Sequence, residues 1–232
     1  MNLTFISLIL FVIPLSAQTI AVLGYGSLMK HPKRPWGELL IIDTFKKTDF
    51  TLPVRLSRVS AWKEYPNNKN RHPSRKLTMI IDPHASQKEI YAATCSYNNL
   101  VPAKHNLAKR EGSTSKYIAY VRQLEPQQPK NEKEDFLYHY QGALWTGSLL
   151  QLPVDEAKKI VKWAHKNKFD AVIWTSVPAT LTNKTNAQIM ELLKADKDLL
   201  KNTQNYIQLL PEDLLTPLLK AIMELHAEQF DT

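Results

Sequence analysis

Apolar positions along this chain fall at two spacings, and the change comes at Pro153. Before it they form short runs. "TIAVLG" (Thr19 to Gly24) is β-branched and apolar, as a buried strand is, and "GELLIIDTF" (Gly37 to Phe45) predicts a second strand. Pro32 and Pro35 between them forbid an ordinary crossover helix. In "FTLPVRLSRVSAW" (Phe50 to Trp62), Val54 and Leu56 alternate with Arg55 and Ser57, the pattern of a half-buried strand. The basic, proline-marked stretch from Lys63 to Lys76 predicts a loop. Strands are expected again at "LTMIID" (Leu77 to Asp82), "EIYAATCSY" (Glu89 to Tyr97), "YIAYVRQLE" and "DFLYHYQGALWTG". Between the second and third of these, "AKHNLAKREGSTSKY" holds Leu107 and Glu111 four residues apart, on one helical face. Such a meander predicts a barrel or a strongly curved sheet.

After Pro153 the spacing becomes helical. Val154, Ala157, Ile160, Val161 and Ala164 form one stripe of an amphipathic helix that starts behind a proline. "DAVIWT" reads as a buried strand, and helical spacing resumes from Asn186, broken at Pro211 and restarted near Thr216-Pro217. No repeat or boundary divides the chain. The expectation is one α+β domain over 18–232, a small mixed β-barrel flanked by helices.

The first residues stand apart. "LTFISLILFVIPLSAQT" is uncharged, apolar and ends in small residues before Gln18, which predicts a signal peptide over 1–17 and an exported chain, periplasmic or secreted, with no stable membrane span once cleaved. The alternatives are a cytoplasmic protein in which residues 3 to 13 form a buried strand or helix, and an uncleaved anchor from Leu3 to Leu23.

Composition narrows the chemistry. The 232 residues, 44% hydrophobic, can bury one substantial core. A net charge of +8 comes from dispersed lysines, a solubility feature rather than a nucleic-acid footprint. A single cysteine, Cys95, excludes an intrachain disulfide, and its alternation with Tyr91, Ala93 and Tyr97 places it in the core. His31, His72, His84, His105, His139, His165 and His226 show no metal-ligand spacing and read as ordinary surface or supporting residues. Trp145, Trp163 and Trp174 read as core.

The run "GYGSL" (Gly24 to Leu28) asks what approaches the backbone so closely. Dinucleotide binding fails because Met29 stands where the third glycine should and the prolines remove the helix behind it. The Gly-Lys-Ser/Thr of a phosphate loop and the Gly-x-Ser-x-Gly elbow of a serine hydrolase are absent. Recognition of a small anion or carboxylate by backbone N–H groups remains.

Here a resemblance enters. "GYGSL" after an apolar strand resembles the Tyr-Gly-Ser-Leu signature of the γ-glutamylcyclotransferase-like family. "NLAKREG" (Asn106 to Gly112) resembles its second signature, and "DAVIWTSVP" with "NYIQLLPEDLLTPLLKAI" is similar to the C-terminal portion of its members. The resemblance implies that a γ-glutamyl group is cyclised to 5-oxoproline with loss of an amine or peptide. It makes Glu111 the general base and acid, and Tyr25, Gly26, Ser27 and Leu28 the substrate-binding segment, with no metal or cofactor. Arg55 and Arg58 either hold an anionic substrate or form surface ion pairs. The family's late pocket tyrosine has no fixed place here: Met190 or a neighbour stands in its region, with Tyr117 and Tyr206 as substitutes. The rival reading is a catalytically silent exported protein that binds a small anionic ligand or a partner in the same cleft.

Overall fold

The computed structural model describes residues 17–29, 41–62, 74–125 and 136–225, with Ser27, Ala61, Trp62 and Ser74 described by backbone alone. The expected signal peptide, the Pro32/Pro35 segment and most of the basic loop lie outside the described residues. The protein is a mixed α+β structure whose strands are β1 (Ile20–Gly24), β2 (Lys46–Trp62), β3 (Ser74–Ile81), β4 (Gln87–Thr94), β5 (Ile118–Gln123), β6 (Phe136–Tyr140), β7 (Ala143–Ser148) and β8 (Ala171–Thr175). They form one sheet in the order β3-β2-β4-β1-β8-β5-β7-β6. The helices are α1 (Leu100–Arg110), α2 (Val154–Lys166), α3 (Asn186–Lys194), α4 (Lys197–Ile207) and α5 (Pro217–Met223).

β1 is central, and all five of its residues are buried. It runs parallel to β8 and antiparallel to β4. Strand alternation sends Ala21 and Leu23, with Val172 and Trp174 of β8, to the larger core, where the buried stripe of α2 packs. Ile20 and Val22, with Ala171 and Ile173, go to the other face, against Ala103, Leu107 and Ala108 of α1. A sheet covered on both faces explains why β1 and β8 read as continuous apolar runs. Cys95 is buried, as its alternation implies, and so are Trp145, Trp163 and Trp174, the tryptophans expected in the core.

Three expectations are corrected, and a fourth, the flanked barrel, is met as a mixed α+β structure. Of "GELLIIDTF", residues 37–40 lie outside the described residues; from Ile41 to Phe45 the described residues form no strand, only a single bridge of Ile41 to Cys95, with Ile42 exposed. The predicted loop ends early, because Ser74, Arg75 and Lys76 pair with Trp62, Ala61 and Ser60. "DFLYHYQGALWTG" is two strands, joined through Gln141 and Gly142 at φ 46° and 80°, the left-handed pair that suits a tight hairpin. Finally, the pairings do not close the sheet into a barrel: β3 and β6 stand at its ends.

The β3 edge is covered instead by α4. Leu77 N–H donates to Thr203 Oγ1 at 2.9 Å and Met79 N–H to Tyr206 Oη at 3.1 Å, so two hydroxyls three residues apart on the helix satisfy amides that the sheet leaves over. Among the described residues no helix is long and apolar enough to cross a membrane.

Candidate functional site

β1 ends in the segment whose glycines posed the question. A Cβ on Gly24 would lie 2.6 Å from Phe45 and 2.7 Å from Met29, so this glycine makes room for packing. A Cβ on Gly26 would lie 2.7 Å from the hydroxyl of Tyr206. What approaches the Gly26 backbone is therefore a side chain of α4. Between them Tyr25 turns inward, is buried, and donates its hydroxyl to the carbonyl of Thr175 at the end of β8. Burial, then the nearby Glu111 carboxylate and then Tyr206 hold the Tyr25 phenol well above its ordinary ionisation range, so it stays neutral. Ser27–Met29 follows as a single 3-10 turn, with Met29 N–H donating to the Gly26 carbonyl.

The second segment ends α1. Asn99 caps the helix by accepting from Val101 N–H. At the other end, Gly112 N–H donates to Lys109 and Ser113 N–H to Ala108, a Schellman closure that requires a left-handed residue after the cap. Gly112 supplies it at φ 63°, with open space where a Cβ would stand, so its glycine answers a backbone need rather than a steric one. Glu111 is thereby fixed as the helix C-cap. Its Oε1 lies 2.7 Å from Nη1 of Arg110, whose side chain is only 8% exposed while that of Glu111 is 24% exposed.

Both segments open on one cavity of about 680 Å³, inside the range of small-molecule sites. Tyr25, Gly26 and Leu28 line it just beyond β1, and Lys109 to Thr114 at and beyond the end of α1. Arg58 and Ser60 of β2 and Lys76, Thr78, Met79 and Ile80 of β3 form the facing wall, with Tyr117, Thr175, Val177 and Tyr206 between. The backbone of Ser27 begins the turn beside it. Glu111 is the one carboxylate among the described lining residues, against Arg58, Lys76, Lys109 and Arg110.

The two arginines divide. Arg55 does not line the cavity; it pairs with the buried Asp82 at 2.9 Å and donates to the carbonyls of Leu181 and Thr182. Arg58 does line it, and donates to the Pro178 carbonyl at 2.6 Å. Both substitutes for the late tyrosine, Tyr117 and Tyr206, are in the lining, whereas Met190 packs against the larger core. Sequence reading missed Ser60, Lys76 and Thr78. The cross-strand pairing that assembles them leaves no local signal.

Cys95 is buried, and that burial raises its thiol pKa, as for a core side chain. Among the described residues no His/Cys/Asp/Glu cluster could hold a metal. No family model, curated protein or solved structure matches the chain.

Proposed function

We propose that the chain is a γ-glutamylcyclotransferase-like enzyme that cyclises the γ-glutamyl group of an amine or peptide and releases 5-oxoproline. The observation that carries this reading is that the two signature-like segments, far apart in sequence, open on one cavity that holds a single carboxylate among its described residues. The reaction needs a group that takes one proton and returns it, and a site for developing negative charge. Glu111 accepts the proton of the substrate's α-ammonium, and the freed amine attacks the γ-carbonyl carbon. The bond to the departing nitrogen breaks as Glu111 returns the proton to it, and the second proton that the ring nitrogen sheds leaves with the released amine, which departs as an ammonium ion. Arg110 orients the carboxylate. Backbone N–H groups of Tyr25, Gly26 and Ser27 receive the carbonyl oxygen as it becomes an oxyanion, and Leu28 forms the apolar side of the pocket. Two bulges in the long β2 would supply the curvature of the family's barrel.

The test is 5-oxoproline release from γ-glutamyl amines, γ-glutamyl dipeptides and glutathione by the purified protein. Release from at least one of them supports the reading, and release from none ends it. A silent anion-binding protein is the second reading, favoured by the excess of cationic over anionic side chains in the lining. It predicts ligand titration without product. Export is the accompanying proposal: mature protein should begin at or near Gln18, and recovery of intact Met1 from a cytoplasmic fraction would refute it.

A further inference from the structure

The wall opposite Glu111 is polar and has no part in the cyclisation step. It owes its arrangement to one extra residue. β2 and β3 pair as Leu56 with Met79 and then as Arg58 with Thr78, so Ser57 is bulged out of register. Val54 and Leu56 face the larger core before the bulge, and Val59 packs against it afterwards. Regular alternation would have put Arg58 on the face of Leu56. The bulge turns it to the other face, together with Ser60, across from Thr78 and Lys76.

These four side chains are two adjacent cross-strand pairs, all partly buried and all lining the cavity. Directly opposed residues bring their Cβ atoms to about 4.5–5.5 Å, so two cations and two hydroxyls stand within reach of one ligand group. Arg58 is anchored through Nη1 to Pro178, and Lys76 Nζ lies 5.6 Å from the centre of the Tyr206 ring. A cavity of about 680 Å³ also has room for more than one glutamyl residue.

We propose that Arg58, Ser60, Lys76 and Thr78 form a subsite for a carboxylate on the departing half of the substrate. The released amine is then an amino acid or peptide, not an uncharged or cationic amine. This rests on the cyclisation reading above. Arg58 offers a fork of donors to the two carboxylate oxygens, Lys76 adds a point charge, and the hydroxyls complete the shell.

Two substrates isolate the claim. γ-Glutamylglycine and γ-glutamylethylamide differ only in a carboxylate that replaces a methyl group. The full chain is expected to use the first with a kcat/KM roughly 10- to 100-fold higher, the range of a hydrogen-bonded charged group. In Arg58→Gln the KM for γ-glutamylglycine should rise by about that factor, with kcat for both compounds and KM for the ethylamide little changed. Lys76→Gln should do the same more weakly, and serves alone if the first variant fails to fold. Equal use of both compounds by the unmodified protein overturns the subsite. So does an equal KM rise for both in the variants, since the arginine would then hold the glutamyl group's own carboxylate. If neither compound yields 5-oxoproline, the cyclisation reading is decided by glutathione and the other compounds of the screen, and calorimetric titration decides the subsite separately. Tenfold tighter binding of γ-glutamylglycine that is lost in Lys76→Gln supports it, and equal or undetectable binding overturns it.

Discussion

The two walls of the cavity are built by different means. On the Glu111 side, each residue is held where an element ends: Glu111 by a helix cap and the glycine behind it, Tyr25 by the hydrogen bond its hydroxyl donates to a carbonyl of the neighbouring strand. On the Arg58 side nothing local holds the positions, which follow from the register of two strands and one bulged residue. A local closure tolerates change elsewhere in the sheet. A register does not, because a slip of one residue exchanges the faces of every side chain beyond it. The proposed chemistry therefore sits on the robust wall and the proposed selectivity on the wall that one inserted or deleted residue would rewrite.

The largest expected effect strikes the first wall. Glu111→Gln keeps size but cannot carry the proton, so kcat for 5-oxoproline release should fall by roughly 10²–10⁴-fold, with substrate affinity much less changed. Unaltered turnover would remove Glu111 from the mechanism and leave the walls without a division of labour.

Next comes the support of the second wall. Arg55, the Arg58 side chain and the Ser57 carbonyl together strap the 178–182 segment to β2. Asp82→Asn removes the charge that Arg55 faces. A fully buried pair costs about 3–5 kcal/mol to break, and with the Arg55 side chain 27% exposed a loss of about 2–3 kcal/mol is expected in urea unfolding. A loss below about 1 kcal/mol would mean that the strap holds without the ion pair.

The walls meet at Gly26 and Tyr206, which a double-mutant cycle can probe. Gly26→Ala places a Cβ against the Tyr206 hydroxyl, and Tyr206→Phe removes that hydroxyl but leaves the Met79 N–H without its acceptor, at about 1–3 kcal/mol. The alanine should cost less in the phenylalanine background, with a coupling of about 0.5–3 kcal/mol. Strict additivity would show that the close approach relaxes freely.

The smallest effect appears only in alkali. The folded state holds Tyr25 protonated beyond its ordinary range, whereas the unfolded chain releases that proton at about pH 10. Its contribution is thus intact below that pH and is lost as pH rises above it. Chemical unfolding of Tyr25→Phe against the parent between pH 9 and 11 should show a shallower decline in the variant.

What could be read from the sequence divides along the same line. β1, β8 and the α2 stripe follow from runs and spacings that burial enforces, and the two motif segments are visible because a turn or cap writes its glycine into adjacent positions. Among the described residues the strand expected around Ile42 shrinks to one bridge, because an apolar run becomes a strand only where a partner edge is free, and there Ile41 and Ile42 meet only Thr94 and Cys95 at the end of β4. Gln141 carries none of the usual hairpin signal, although its backbone adopts that conformation. Arg58 was visible as a charge but not as a direction, since the bulge that turns it is a property of the pair of strands. Tyr206 lies among the buried residues of α4, and only the docking of that helix brings it to Gly26.

That docking ties the cavity to a local opening of the molecule. Among the described residues the Leu77 and Met79 amides are bonded by α4 and by no strand, so they are expected to exchange with solvent deuterium when the helix lifts. When it lifts, Tyr206 leaves Gly26 and the cavity loses a wall. A pair of backbone amides thus reports how often the pocket ceases to exist, and a ligand that fills it should slow both by the same factor, whatever that ligand proves to be.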